Sequence, residues 1–363
     1  MKNYLFALLS FLLFFLFTSN VSAQEPSTPQ QQTFEAVITQ VTEEKEVTVN
    51  HKTQRYQKLE AEITSGERKG EKITVENGTV PMVVIQDYAT DDQVVITAFR
   101  SPDGKELFSI TDYVRRIPLL LLFGIFVGLV ILVGRKRGIA SLGGMFFSFV
   151  IIFTFVLPQI LAGQNPVLIV ILASLAIIPL TFYLSHGFNR KTTAAVIGTI
   201  IALIITGILA TIFINAARFT GFASDEANFL QAARPDVINM QGLLLAGILI
   251  GILGILDDIT ISQAAIVQQL KKASPNLKFH QLFLRTMDVG KDHIASTVNT
   301  LILVYTGAAL PLLLLFLDNP QPIASVVNYE MIAEEIVRML LASIGLILAV
   351  PITTAIAAWM IKK

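Results

Sequence analysis

The chain has 363 residues and contains no cysteine, which excludes disulfide bonds and thiolate metal sites. Only 15% of its residues are charged, and 27 basic residues balance 27 acidic ones. This zero net charge excludes the basic balance that is typical of a nucleic-acid binder. No Walker A pattern is present, and the sequence indicates no cofactor. Apolar residues are abundant, at 53% of the total, which indicates an integral membrane protein.

The N-terminus, residues 1–23, has the three parts of a secretory signal peptide. Lys2 supplies the positive charge, residues 5–17 the apolar core, and residues 21–23 a small-residue cleavage site. An uncleaved signal anchor is the alternative, and both place the following residues outside the cell. Residues 24–33 are mostly Pro, Gln, Ser and Thr, which predicts a short disordered linker.

Residues 34–114 are predicted to form a small extracytoplasmic all-β domain, either OB-like or another small barrel or sandwich. Short stretches alternate between apolar and polar residues, which is the period of a half-buried strand. Asn77-Gly78 and Asp103-Gly104 are turn signals between such stretches. The single histidine of this region, His51, is interpreted as a surface residue, and the region shows no candidate metal or catalytic cluster.

Residues 115–363 are predicted to form an α-helical polytopic membrane domain. They contain seven apolar stretches near the ~20 residues that a membrane helix needs. Basic residues such as Arg135-Lys136-Arg137 and Lys271-Lys272 fall at alternate ends of these stretches, with Arg115-Arg116 as the local exception. By the positive-inside rule, we expect the β-domain to be extracytoplasmic and the C-terminus to be cytoplasmic. The stretches are residues 117–134, 139–161, 166–185, 193–215, 241–267, 295–317 and 339–360.

Two adjacent aspartates, Asp257 and Asp258, interrupt the fifth apolar stretch. A carboxylate at bilayer depth costs roughly 2.5–3.5 kcal/mol on insertion scales, so it marks a functional site or an internal partner. At about 100° per residue, Gly247, Gly251 and Gly254 share a helix face with Asp258. Because glycines let a neighbouring helix approach closely, we expect Asp258 to point into the bundle. The fourth stretch has a similar seam of small and hydroxyl residues: Ala195, Thr199, Ala202, Thr206 and Ala210.

Further polar residues lie near the start of the sixth stretch. Asp292, Ser296 and Asn299 share one helix face and His293 lies on the next. We expect these groups and the two aspartates at similar depth, where their oxygens would suit a hard cation or a proton. Hydrogen bonding between helices is the purely structural alternative. The predicted ion- or substrate-binding residues are Asp257, Asp258, Thr260, Gln263, Asp292, His293, Ser296 and Asn299.

Two other features border the predicted membrane helices. Residues 275–289 are predicted to form an amphipathic helix on the cytoplasmic surface, with Pro275 at its first position and Gly290 ending it. This helix would serve as an anchor or as a gate over the polar site. Glu334, Glu335 and Arg338 have helical spacing and are interpreted as an ion pair at the outer mouth of the last stretch.

Several long motifs resemble the YibE/F-like family of bacterial membrane proteins. They include Leu256-Asp257-Asp258-Ile259-Thr260, the run from Met287 to Leu301, and Tyr305 to Leu315. The resemblance covers roughly residues 115–360, and it implies a multi-pass plasma-membrane protein with an extracytoplasmic N-terminal domain. Lys291 stands where the family pattern has arginine; it keeps the charge but loses the bidentate fork. The resemblance implies no substrate.

The sequence leaves two functions open, a transporter and a scaffold, and argues against a third, an enzyme. A transporter or permease would bind a proton or cation at the intramembrane carboxylates, although the chain shows no internal repeat. An envelope scaffold would act through the exported β-domain. An intramembrane enzyme is not expected, because adjacent carboxylates diverge by about 100° on a helix and do not form a facing dyad. The expected partners are the lipid bilayer, a small solute or ion and an envelope protein, and not nucleic acid.

Overall fold

In this computed structural model, the structure describes residues 32–49, 52–79, 86–100, 106–235, 237–318 and 322–361. The predicted signal peptide, most of the predicted linker, His51 and the Asp103-Gly104 turn lie outside these residues, so those interpretations stay predictions. The described chain divides between Leu129 and Val130 into two compact units. Each unit has its own buried apolar core.

The first unit contains five strands: β1 Gln32–Val49, β2 Lys52–Ile63, β3 Lys72–Asn77, β4 Gln93–Arg100 and β5 Glu106–Tyr113. They form an antiparallel sheet with the order β3-β2-β1-β4-β5. β1 is long enough to pair with both β2 and β4, and its register with β2 shifts between Ile38 and Gln40. The edge strands β3 and β5 lie against each other, so the curved sheet forms a small barrel.

The barrel core follows from the two-residue period of its strands. Along β3 the residues alternate strictly between exposed and buried, which the alternating sequence predicts. Ile38, Leu59 and Ile96, from three different strands, are fully buried in the core. The guanidinium of Arg68 lies over the rings of Phe34 and Phe108. It also pairs with the carboxylates of Glu71 and Glu106.

The second unit is helical. Its described helices are α1 Arg116–Ile151, α2 Leu157–Leu161, α3 Pro166–His186, α4 Arg190–Ala216, α5 Asp225–Ala233, α6 Met240–Ala273, α7 Phe279–Ala308, α8 Leu310–Asp318, α9 Ile323–Val326 and α10 Glu330–Met360. α1 begins in the first unit and continues into the second. Within the part of the chain that the structure describes, five helical segments are long and apolar enough to cross a membrane, or six if the bent pair α7 and α8 is one span.

The first apolar segment is longer than one crossing requires. It runs over Arg116–Leu161 and has 46 residues, about twice the length of a single membrane helix. Its backbone leaves the helical conformation at Arg135, where φ is 50°. A Cβ on Gly138 would lie 2.2 Å from the carbonyl oxygen of Val130, so the chain turns sharply between them. This break lies between the first two predicted spans.

Asparagine side chains fix where three of the long helices begin. Asn165 accepts hydrogen bonds from the backbone N–H groups at the start of α3, and Asn189 and Asn239 do the same for α4 and α6. The first N–H groups of a helix have no partner within the helix, so a preceding Asn side chain stabilises its start.

The core of the helical unit is formed by α4, α6 and α10, which pack against one another, while α7 packs mainly against α10. A Cβ on Gly198 of α4 would lie 2.2 Å from Oγ1 of Thr353 on α10, so these two helices are in very close contact. The predicted seam of small and hydroxyl residues on α4 is confirmed, because all five members are fully buried: Ala195, Thr199, Ala202, Thr206 and Ala210.

Basic residues gather at one end of the helical unit, called here the basic end. Lys191 at the start of α4 lies within electrostatic range of Arg137 and Lys272. Arg190 donates from Nη1 to the carbonyl oxygen of Met360, at the end of α10, at 3.5 Å. The basic end therefore contains the start of α4 and the ends of α6 and α10. The starts of α6 and α10 lie at the opposite end.

Of the predicted amphipathic helix over residues 275–289, only residues 279–289 are helical, and they belong to a longer helix, so the predicted start at Pro275 is wrong. α7 begins at Phe279 and runs without interruption to Ala308, so the prediction that Gly290 ends a helix is wrong. Gly290 is buried, and a Cβ there would lie 2.7 Å from Cγ1 of Val350 and 2.8 Å from Nε2 of Gln263. Glycine is thus required by close helix packing at this position. The chain instead bends by 64° between α7 and α8, just before Pro311.

Candidate functional site

The two aspartates of α6 lie at different depths in the helix packing. Asp257 is half-buried and Asp258 is exposed, and Gly247, Gly251 and Gly254 are exposed with it. The expectation that Asp258 points into the bundle is therefore wrong. The large aliphatic side chains occupy the opposite face of α6, and their burial in the α4–α6–α10 core stabilises the fold more than burial of glycines would. They include Ile248, Ile252, Leu256 and Ile259, all buried.

Thr260 and Gln263 lie on the buried face and hold helices together. The hydroxyls of Thr260 and Thr199 on α4 are 2.7 Å apart. Gln263 donates from Nε2 to Oγ1 of Thr354 on α10 at 2.9 Å and to the carbonyl oxygen of Thr286 on α7 at 3.2 Å. These contacts agree with the purely structural alternative for Thr260 and Gln263, which is hydrogen bonding between helices. Oε1 of Gln263 is buried, with no hydrogen-bond partner among the described residues.

The predicted residues of α7 lie on its outer surface. Asp292, Ser296 and Asn299 are exposed and His293 is half-buried. Among the described side chains, no three His, Asp or Glu residues come together as a metal site. The predicted site thus separates into a buried structural pair on α6 and an open polar surface.

Two contacts between α6 and α7 establish their relative depth. Gly290 meets Gln263, and the Tyr305 hydroxyl lies 4.0 Å from the Cβ position of Gly251. The two aspartates of α6 lie between Gly251 and Gln263 in sequence, and Ser296 and Asn299 lie between Gly290 and Tyr305. Along the helix axes, the aspartates of α6 and these α7 residues therefore all lie between the same two interhelical contacts.

A cavity of about 590 Å³, called here the Glu334 cavity, lies where α6 begins, α7 ends and α10 begins. Most of its wall is apolar. The lining residues that matter for its chemistry are Gly247, Tyr305, Ala309, Glu334, Glu335 and Arg338.

The charged groups of the cavity are only partly paired. Nη1 of Arg338 lies 3.0 Å from Oε1 of Glu335, which confirms the predicted ion pair. Glu334 is only 9% exposed, and its Oε1 has no hydrogen-bond partner in the described part of the chain. The sequence prediction included Glu334 in the ion pair and missed its unpaired oxygen, because Glu334 and Glu335 both have helical spacing to Arg338 and only the fold decides between them.

The Glu334 cavity adjoins the break between α7 and α8, since Ala308 and Ala309 line it. Gly247 lines it as well, so the exposed glycine face of α6 begins in the cavity and continues past Gly254 to Asp258. In the described structure, no atom outside the helix lies within 4 Å of a Cβ placed on Gly247 or Gly254. A discontinuous helix beside a cavity is the arrangement that many transporters use for binding.

Comparisons with known proteins identify the family. Residues 122–363 match the family model of YibE/F-like protein, and residues 30–113 match that of the YibE/F family N-terminal domain. No curated protein sequence and no solved structure matches the chain. The two family matches together cover nearly the whole chain and agree with the resemblance of its motifs. With its apolar helices of membrane-spanning length, this chain is a membrane protein that belongs to the YibE/F-like family.

Proposed function

We propose that the protein is a transporter that moves a small solute through its helical unit, coupled to a proton or cation at Asp257 and Asp258. The observation that carries this proposal is the break between α7 and α8 beside the Glu334 cavity. Broken membrane helices free backbone groups for binding, and they are found where they border a cavity rather than lipid. We propose transport for this chain, and we propose neither a catalytic activity nor a bound cofactor.

The exposed glycine face of α6 supports a path from the cavity to the aspartates. Asp258 lies at the far end of this face, and Ser296 and Asn299 lie at similar depth on the exposed surface of α7. A carboxylate that faced lipid at this depth would cost roughly 2.5–3.5 kcal/mol. Polar groups on both helices would avoid that cost if water reaches them, as it does along a transport path.

The distribution of charge supports an orientation in the membrane. The basic end, with Arg137, Lys191 and Lys272, would face the cytoplasm of a bacterium, because cytoplasmic loops carry the excess of Lys and Arg. The Glu334 cavity would then open towards the outside of the plasma membrane. The β-domain would be extracytoplasmic and the C-terminus cytoplasmic, as the sequence predicts.

Proton flux into proteoliposomes tests the proposed function. Purified full-length protein is reconstituted with a pH-sensitive dye inside, and a proton or sodium gradient is imposed. We expect flux above that of empty liposomes for the wild type, and its loss in Asp258→Asn. Asp288→Asn is the matched control, since Asp288 is an exposed carboxylate of α7 that pairs with Lys291. Equal flux in wild type, Asp258→Asn and empty liposomes would exclude the mechanism.

A scaffold function is the second candidate, and one feature of the β-domain favours it. Beyond Val41, β1 pairs with β2 alone within the described residues, and β2 pairs with β3 only from Gln57 onwards. The end of the hairpin that β1 and β2 form, away from the rest of the sheet, is therefore a two-stranded ribbon. Strand edges of this kind can pair with a strand of another protein, here an envelope protein. Under this alternative, deletion of residues 34–112 abolishes function and Asp258→Asn has no effect.

A further inference from the structure

We propose that the Glu334 cavity binds a protonated organic amine with an apolar body, and that Glu334 is the counter-ion of its ammonium group. The role of this amine as a transported solute rests on the proposed function, whereas its binding to the cavity can be measured without any transport.

The state of the Glu334 side chain is the first argument. Glu334 is buried, with only 9% of the residue exposed, and its Oε1 has no donor among the residues that the structure describes. A buried carboxylate without a hydrogen-bond donor is strongly destabilised, so an occupant that donates a hydrogen bond at this oxygen is favoured. An ammonium group supplies both the donor and the opposite charge.

The neighbouring charges favour a cationic occupant over an anionic one. Among the described lining residues, Arg338 is the one cation, and it pairs with Glu335 at 3.0 Å. The wall therefore carries two carboxylates and one guanidinium, which leaves one negative charge uncompensated when both acids are ionised. A carboxylate ligand would find the free Nε of Arg338 but would also meet both glutamates.

The size and the wall of the cavity indicate an organic molecule rather than a metal ion. About 590 Å³ lies within the range of small-molecule sites. Leu243, Leu312 and Met331 contribute apolar wall, and the Tyr305 ring is a surface that cations bind favourably. No metal-binding group of three acidic or histidine side chains occurs in the described chain, so a bare divalent ion has too few ligands here.

Three probes of nearly equal shape separate charge from size. Phenethylammonium, 2-phenylethanol and 3-phenylpropionate are titrated by calorimetry into the full-length protein in nanodiscs, with empty nanodiscs as the blank. We expect the amine to bind about tenfold or more tightly than the alcohol, and the acid to bind most weakly. Glu334→Gln should lower the affinity for the amine to that for the alcohol and leave alcohol binding unchanged. Asp288→Asn should change neither.

Two results would overturn the inference: equal affinity of the wild type for amine and alcohol, or unchanged amine binding in Glu334→Gln. If Glu334→Gln does not fold, Gly247→Leu provides a second test, because its side chain would enter the cavity without changing the charge. Amine binding that persists in Gly247→Leu would show that the site lies elsewhere.

The binding assay and the flux assay fail independently. Flux that depends on Asp258 without amine binding would leave the transporter intact and exclude the amine as occupant of the cavity. Amine binding that depends on Glu334, without flux in proteoliposomes, would establish the site and exclude the coupled transporter.

Discussion

The amide of Gln263 on α6 donates to the hydroxyl of Thr354 on α10 across 2.9 Å. The same nitrogen also reaches the Thr286 carbonyl on α7, so one side chain connects three helices. Gly290 leaves the space that this amide occupies, since a Cβ there would lie 2.8 Å from the Gln263 nitrogen. Interhelical bonds of this kind average only ~0.6 kcal/mol, so their main effect is to fix which helices meet and in which register.

Two glycines of the bundle should respond oppositely to alanine. A Cβ on Gly198 would lie 2.2 Å from Oγ1 and 3.2 Å from Cα of Thr353, so α4 and α10 would have to move apart. Overpacking of this kind costs about 1–3 kcal/mol. Gly247 has open space at its Cβ position, and Ala is favoured over Gly in a helix by roughly 1 kcal/mol. Thermal unfolding in detergent should show a lower Tm for Gly198→Ala only, and equal Tm values would contradict the close packing.

The hydroxyl pair of Thr199 and Thr260 should show a small coupling energy. Each hydroxyl also has an acceptor within its own helix. This is the carbonyl oxygen of Ala195 for Thr199 and the carbonyl oxygen of Asp257 for Thr260. A double-mutant cycle with Thr199→Val and Thr260→Val should therefore give about 0.6 kcal/mol, and no more than about 1.7. Fully additive single effects in unfolding measurements would mean that the 2.7 Å contact contributes nothing.

Replacing Arg68 by lysine should destabilise the β-barrel although the charge is kept. Arg68 bonds Glu71 at 2.7 Å and Glu106 at 2.8 Å, and its guanidinium lies 5.3 Å from the ring centres of Phe34 and Phe108. Lysine cannot form both forked pairs or stack between the rings. We expect the Tm of the β-domain transition to fall by about 4–8 °C. Arg55→Lys is the control, because Arg55 also pairs with two carboxylates, Glu44 and Asp87, but its side chain is 51% exposed. An equal fall there would refute the importance of the position of Arg68 between the rings.

Tyr88 should ionise only at very alkaline pH. Burial raises the pKa of Tyr88 to about 12, and the neighbouring Tyr113 adds to the shift. Because the folded state holds the phenol neutral, its contribution to stability is complete below the unfolded pKa of about 10 and is lost as pH rises towards 12. Subtracting the ultraviolet titration curve of Tyr88→Phe from that of the wild type isolates the ionisation of Tyr88. The midpoint of this difference curve should lie near pH 12 for the folded protein and near pH 10 in denaturant. A folded midpoint near 10 would contradict the burial.

Much of the architecture could be predicted from residue patterns. Two-residue alternation predicts the β-domain, and runs of apolar residues predict the membrane helices, because each pattern reports the local environment of one element. The buried seam of α4 around Thr199 was predictable for the same reason. The roles of Gly290 and Glu334 were not, since the first depends on how close α10 comes and the second on which glutamate Arg338 pairs with.

The sequence by itself determined the class of protein, the β-domain followed by apolar helices, and the placement of two carboxylates within an apolar helix. These properties follow from composition and periodicity, which need no knowledge of neighbours. Only the tertiary structure decided that Asp258 and the glycine face of α6 are exposed while Thr260 and Gln263 are buried. A helix has several faces that could be buried, and the packing of its large aliphatic side chains against α4 and α10 selects one of them.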